Sequence, residues 1–276
     1  MITKSAENAP NFYQLNNDIK GIEVLDGAEI MPSSLAWKKF SFTHELFFKK
    51  PKQGFFLWVK KSVSLPLHTL IEIDSKNISQ EMSNLIIIEK DINVKLTSSC
   101  LSKKEVKGKH FALAKIIVKD NSTLDYTQNN SWKKGDVFTA HYEFFLNKNS
   151  KLKSKIVNQS DGASVETRED VYLLQKKANA DLRIKMIASN GGEFFSESYM
   201  HGEDEVKGHL ECSGLITNKD SKIVSIPGII CNSNKAELTH EASIGKISEE
   251  KLMYLRMRGL SEEKATELII KSFLNS

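Results

Sequence analysis

The chain has 276 residues, enough for one large domain or two modest ones. Its 27% charged and 40% hydrophobic residues describe a folded soluble protein, not a disordered one. The formal charge of +4, from 39 basic and 35 acidic residues, is too even for a nucleic-acid binder. No stretch reaches the roughly 18 apolar residues of a membrane span. The first fourteen residues lack the basic-then-apolar order of a signal peptide. Three well-separated cysteines, Cys100, Cys212 and Cys231, form no CxxC pair. A reducing, cytoplasmic setting without disulfides is expected.

Residues 1–39 read as an N-terminal arm, with residues 11–20 a short helix or an irregular segment. Residues 40–245 have a different texture, with short apolar runs between polar turns. Strands are predicted at 54–59, 67–73, 85–88, 92–96, 111–118 and 137–146. The densest basic run, Lys103, Lys104, Lys107 and Lys109, lacks interleaved aromatics and reads as a solvated loop. A polar step before one aliphatic residue then recurs, with the aliphatics at Leu124, Leu152, Leu182, Val206, Ile223 and Leu238. The early gaps are 28, 30 and 24 residues, and the last two are 17 and 15. A gap near thirty fits one full coil of a β-helix, and a gap near fifteen fits one side of a flattened coil. A β-sandwich or meander satisfies the same pattern equally well.

Residues 246–276 change character again. Ser248 can cap a helix that opens with Glu249 and Glu250 and closes on Arg256, Arg258 and Gly259. Ser261 then caps a second helix, with Ala265, Leu268, Ile269 and Phe273 on one face. Such helices either shield the last coil of the β-domain or face a partner.

No P-loop, GxGxxG opening, GxSxG elbow or HExxH is present, so a non-enzymatic role is expected. Gly191-Gly192 reads as a turn, and Glu203-Asp204-Glu205 as a solvated turn. Cys212, Cys231, His240 and Glu241 carry side chains able to bind iron or zinc. Their spacing alone is equally that of buried structural cysteines.

Residues 208–274 resemble the C-terminal core of the SufB/SufD family of iron–sulfur assembly proteins. The resemblance is densest over LTHEASIGKISEEKLMYLRMRGLSEEKATELIIKSF, residues 238–273. It rests on His240, Ala242-Ser243, Tyr254, Arg258-Gly259 and the run Ser261-Glu262-Glu263-Lys264-Ala265. The His240-Glu241 pair is the SufB form, where SufD members carry His-Gly. Cys212, followed by Ser213 and 28 residues before His240, occupies the place of the SufB cysteine implicated in the nascent cluster. Cys231 matches a second SufB cysteine, whereas Ile244-Gly245 is closer to SufD.

The resemblance implies an all-β core, a right-handed parallel β-helix with a short C-terminal two-helix segment. It implies a scaffold for a transient iron–sulfur cluster, with Cys212 accepting sulfur. His240 and Glu241 would hold iron beside Cys212, and Cys231 is a further candidate ligand. It further implies docking of a SufC-like ABC ATPase on Tyr254, Arg256, Arg258 and the helix from Ser261. A SufB/SufD-type partner or a second copy of the chain, and a cysteine desulfurase or other sulfur donor, complete the expected partners. A SufD-like structural subunit that receives no sulfur is the alternative.

Overall fold

In the computed structural model, residues 10–23, 25–63 and 65–275 are described. Residues 1–9 of the predicted arm lie outside them. Three short strands come first: β1 (Phe12–Leu15), β2 (Asp18–Ile22) and β3 (Ala28–Pro32). Two short helices come next, α1 (Ser33–Lys39) and α2 (Thr43–Leu46). The solenoid is built from β4 (Phe55–Val59), β5 (Leu67–Ile73), β6 (Ser79–Ile88), β7 (Asn93–Ser102) and β8 (Lys109–Val118). It continues through β9 (Thr123–Lys133), β10 (Val137–Leu146), β11 (Lys151–Asp161), β12 (Ser164–Leu173) and β13 (Asn179–Ser189). It ends with β14 (Glu193–Gly202), β15 (Lys207–Ile216), β16 (Lys222–Cys231) and β17 (Glu237–Lys246). Helices α3 (Glu249–Met257) and α4 (Glu262–Asn275) close the chain.

Among the described residues the strands form two sheets, one of nine in the order β17-β15-β13-β11-β9-β7-β5-β1-β2 and one of eight, β16-β14-β12-β10-β8-β6-β4-β3. From β4 onward successive strands alternate between sheets, and neighbours within each sheet from β4 and β5 onward are parallel. This is the parallel solenoid, and the sandwich alternative falls away. Thr123 lies beside Lys151, Lys151 beside Asn179 and Asn179 beside Lys207, a step of 28 residues per coil.

The register refines the predicted repeat. Leu124 and Leu152 stack as expected, but the next member of that row is Ala180, not Leu182, and after it come Gly208 and Leu238. Val206 lies just before β15, and Ile223 belongs to the other sheet. The short gaps at the end of the repeat are therefore crossings from one wall to the other.

Alternate residues of each strand point into the lumen, and burial tracks that alternation through most of the solenoid. Phe138, Phe144, Ile116, Val118, Leu124 and Leu152 are among the apolar residues that fill it. One corner of successive coils needs a left-handed backbone, supplied by Asp91, Asn121, Asn149 and Lys177 at φ of 62°, 59°, 55° and 64°. Side-chain bonds stack three of these corners: Asn121 donates to Asp91 at 2.9 Å, and Asn149 to Asn121 at 3.0 Å. Asn and Asp tolerate this conformation better than most residues.

The two ends differ. At the amino-terminal end, residues 11–20 are neither helix nor irregular arm. They form a hairpin in which β1 pairs with β5 and β2 pairs antiparallel with β1. Strand β3 closes the other sheet antiparallel to β4, and Met31, Ala36 and Phe47 pack with Phe56, Leu85 and Ile87. At the other end β16 and β17 are edge strands with nothing stacked beyond them among the described residues. Helix α4 instead turns back along the nine-stranded sheet, where the Lys155 ammonium donates to the Leu274 carbonyl. Among the described residues, no helix is long and apolar enough to cross a membrane.

Candidate functional site

The predicted site residues lie on the last coil and a half. In β15, Cys212 points into the lumen between Ile184 of β13 and Ala242 of β17. It is 0% exposed. Burial, reinforced by nearby Glu169, pushes its thiol up to about 11, while the Ser225 and Ser198 hydroxyls beside it act in the opposite sense. In this arrangement the thiol is protonated at neutral pH.

His240 is in register with buried Leu210, so it belongs to the same lumen-facing set as Cys212, one alternation away. It is exposed because β17 has no outer neighbour. Glu241 is in register with Glu211 and therefore points to the opposite, outer face. Cys231 sits at the end of β16 beside Gly202, on the lumen-facing alternation of the other wall, and is exposed. Cys212, His240 and Cys231 thus share one lumen, and Glu241 does not. Among the described residues, no group of three or more His, Cys, Asp or Glu side chains is arranged to hold a metal ion.

Several residues without any motif in the sequence line the lumen behind Cys212. Glu169 of β12 is fully buried and accepts a hydrogen bond from Ser198 at 2.8 Å. Burial pushes its carboxyl up to about 7, against the hydrogen bond from Ser198. Farther in, Tyr126 donates to Gln128 at 2.6 Å, Gln128 to Asn130 at 2.8 Å and Asn130 to Asn158 at 2.7 Å. Cys100 lies in the same interior, its thiol pushed up to about 12 by burial. Polar residues at alternate positions, such as Thr167 and Glu169 or Ser196 and Ser198, are the signal that could have found this wall.

On the outer face of the eight-stranded sheet, His141 and His201 lie 2.8 and 3.2 Å from the two oxygens of Asp170, and Arg168 donates to it at 2.7 Å. Burial pushes the Asp170 carboxyl up, but these three donors outweigh it and hold the group well below the usual range. The cluster ties β10, β12 and β14 together.

The helical residues cluster at one corner. The Ser248 hydroxyl accepts from the Lys251 amide at 3.4 Å, and Ser261 accepts from Lys264 at 3.3 Å, so both predicted caps form. Gly259, at φ +91°, ends the α3 segment. Arg256 pairs with Glu262 at 3.2 Å across the joint, and the Arg258 guanidinium lies over the Tyr254 ring, 5.3 Å from its centre. Tyr254 is 57% exposed. The two helices enclose a groove of about 490 Å³ lined by Tyr254, Leu255, Leu268 and Ile269 among others. Helix α3 buries no residue and α4 buries only Ala265.

The sequence matches the family described as "SUF system FeS cluster assembly, SufBD core domain" over residues 71–203 and 199–273. The chain belongs to the SufBD family. An iron–sulfur cluster assembly SufBD family protein of Archaeoglobus fulgidus is 25% identical, over 95% of this chain and 84% of its own length. Two such proteins of Pyrococcus horikoshii are 33% and 32% identical, over 68% and 80% of this chain. The alignments cover 67% and 57% of those proteins respectively, and 59% and 62% of two Methanothermobacter thermautotrophicus members. The SufBD match takes in the lumen, the open end and both helices, so the predicted site lies wholly inside it.

Proposed function

We propose that this SufBD chain is a scaffold on which a nascent iron–sulfur cluster is assembled at the open end of the solenoid. The observation that carries the reading is that Cys212, His240 and Cys231 line one lumen at the end where both sheets finish in unpaired strands. One chain offers an incomplete ligand set. A second copy, or a SufB/SufD-type partner, stacked on β16 and β17 would bring a second set of side chains to the same place.

In this reading Cys212 receives sulfur from a persulfide carried by a cysteine desulfurase or other donor. Its thiolate attacks the outer sulfur of the donor's R–S–SH. The new S–S bond leaves a persulfide on Cys212, and the donor departs as its thiolate. His240 then helps hold the incoming iron, with Cys231 a further soft ligand, and Glu241, which faces outward in the closed chain, joins them only when the terminal strand opens or a second copy stacks on it. Mixed and partial ligation suits a scaffold that must release what it builds. Because Cys212 is buried and protonated, sulfur acceptance requires the terminal coil to open, and an edge coil is where local opening costs least. A SufC-like ABC ATPase seated on α3 and α4, at Tyr254, Arg256, Arg258 and the α4 start at Ser261, would supply the motion.

Burial of Cys212 favours a second reading, a SufD-like structural subunit that receives no sulfur. Anaerobic reconstitution with iron and sulfide, read by metal and sulfide content, separates the two. The scaffold reading expects near-complete loss of cluster for Cys212→Ser, partial loss for Glu241→Ala and no loss for Cys100→Ser. Full cluster content in Cys212→Ser would move the assignment to the structural subunit.

A further inference from the structure

Helix α4 is held to the solenoid at its carboxyl-terminal end, on the outer face of the nine-stranded sheet. Lys185 of β13 points outward yet is only 3% exposed. A cation so enclosed needs a partner. Its ammonium lies 2.8 Å from Glu211 of β15 on one side and 5.2 Å from the centre of the Phe273 ring on the other. Lys155 of β11 donates to the Leu274 carbonyl one residue on. Both cations therefore face the end of α4 where unpaired carbonyls and the helix dipole favour positive charge. Lys155 is lowered by its own burial and by the neighbouring charges of Lys185 and Arg183, so cations crowd this patch.

The acid in this arrangement stands next to Cys212 in the chain. Glu211 accepts from Lys185 and also from the Ser213 hydroxyl at 2.9 Å. Arg183 lies 3.9 Å from its other oxygen. Glu211 and Ser213 are the two residues that flank Cys212, and both face outward while Cys212 faces the lumen. The outer flanks of Cys212 are thus bonded to each other, and through Lys185 to Phe273.

We propose that Lys185 and Phe273 form a clasp that couples the seating of α4 to the closure of the strand that buries Cys212. With α4 seated, the ring covers Lys185, Lys185 holds Glu211, and Glu211 with Ser213 pins the backbone on both sides of the cysteine. When α4 is drawn away, Lys185 is wetted, its grip on Glu211 weakens and the Cys212 segment is free to open. Lys185 acts as a positioning residue. The coupling is a property of this chain alone and does not depend on sulfur or iron chemistry at Cys212.

The test uses the full chain without metal, nucleotide or partner. Peptide-level hydrogen exchange monitors α4 and residues 210–214, and iodoacetamide labelling is quantified at each cysteine. Exposed Cys231 is the fast internal standard and buried Cys100 the slow one. Lys185→Met and Phe273→Ala are each expected to speed exchange at both places and to raise Cys212 labelling about tenfold, leaving Cys231 and Cys100 unchanged. Coupling is reciprocal, so Glu211→Gln, made on the strand side, must also speed exchange in the last turns of α4. Lys251→Ala on α3 changes neither. Should Lys185→Met fail to fold, Phe273→Ala and Glu211→Gln carry the test. Faster exchange in α4 with Cys212 labelling unchanged, or a rigid α4 in Glu211→Gln, would overturn the clasp.

Discussion

Neighbouring residues in a strand face opposite ways, and three pairs near the site are divided by that rule. Glu211 and Cys212 put a carboxylate outside and a thiol inside. His240 and Glu241 divide in the same way, so the motif that reads as a pair cannot act as one from a single chain. Glu169 and Asp170 divide a third time, with opposite electrostatic results. Outward Asp170 meets three donors and is held ionised, whereas inward Glu169 meets hydroxyls and is pushed up to about 7. A carboxyl whose folded pKa lies above its unfolded value binds more protons when folded. Ionisation adds no cost below the unfolded pKa near 4.5, and the added cost grows as pH rises towards 7. Full ionisation corresponds to about 3 kcal/mol. Glu169→Gln should therefore match the wild type at pH 4.5 in urea unfolding and exceed it at pH 8. Equal stability of the two proteins at both pH values would contradict the assignment of a costly buried carboxyl. The split of His240 from Glu241 is legible in the sequence once a strand is drawn through them. Glu169 is legible only through its alternation with Thr167 and the matching Ser196 and Ser198, because a single acid among Thr, Arg and Asp does not by itself mark a buried position.

At the scale of elements, apolar content decides which strands can be seen in advance. The predicted 67–73 and 137–146 coincide with β5 and β10, whose β-branched and aromatic runs leave little choice. The strands β11, β12 and β14 escape prediction because their lumen positions include Ser154, Asn158, Thr167, Ser196 and Ser198, which blur the apolar alternation. The β1–β2 hairpin escapes it because the chain turns at Asn16 and Asn17, with Asn16 at φ +54°, within a segment too short to show a period. The terminal helices are legible from Ser248, Ser261 and the acids after them, since capping is a local property. What they touch is not local, and only the structure places α4 against Lys155 and Lys185. Because α3 and α4 contribute a single buried residue, removal of residues 248–276 should leave β-rich circular dichroism intact while, under the proposed docking, abolishing co-purification with a SufC-like ABC ATPase. A truncated chain that still binds the ATPase with unchanged affinity would place the docking surface elsewhere.

The whole molecule is asymmetric from end to end. Antiparallel strands finish the amino-terminal end, whereas β16 and β17 each offer ten residues of unpaired edge. Long open edges are a liability unless something pairs with them. Ile244 stands 45% exposed on the lumen-facing alternation of β17, where an end-to-end partner would cover it. Under the proposed self-pairing the purified chain is expected to run as a dimer by light scattering. Ile244→Lys should then give a monomer with an unchanged circular dichroism spectrum, because the substituted residue packs at the open mouth. A persistent dimer would put the contact on another surface.

The constant step of 28 residues between equivalent positions of β9, β11, β13 and β15 also fixes distance. Each coil advances the structure by one strand spacing, about 4.8 Å, whatever side chains it carries. The solenoid is therefore a ruler with discrete graduations. The separation between the finished end and the open mouth is set by the number of coils, and composition can vary along the shaft without altering it. A change in coil number would move the two ends apart or together in whole graduations and turn no residue of the terminal coil towards the wrong face. Reach and chemistry are in this sense encoded separately, one in how many coils there are and the other in what the last coil displays.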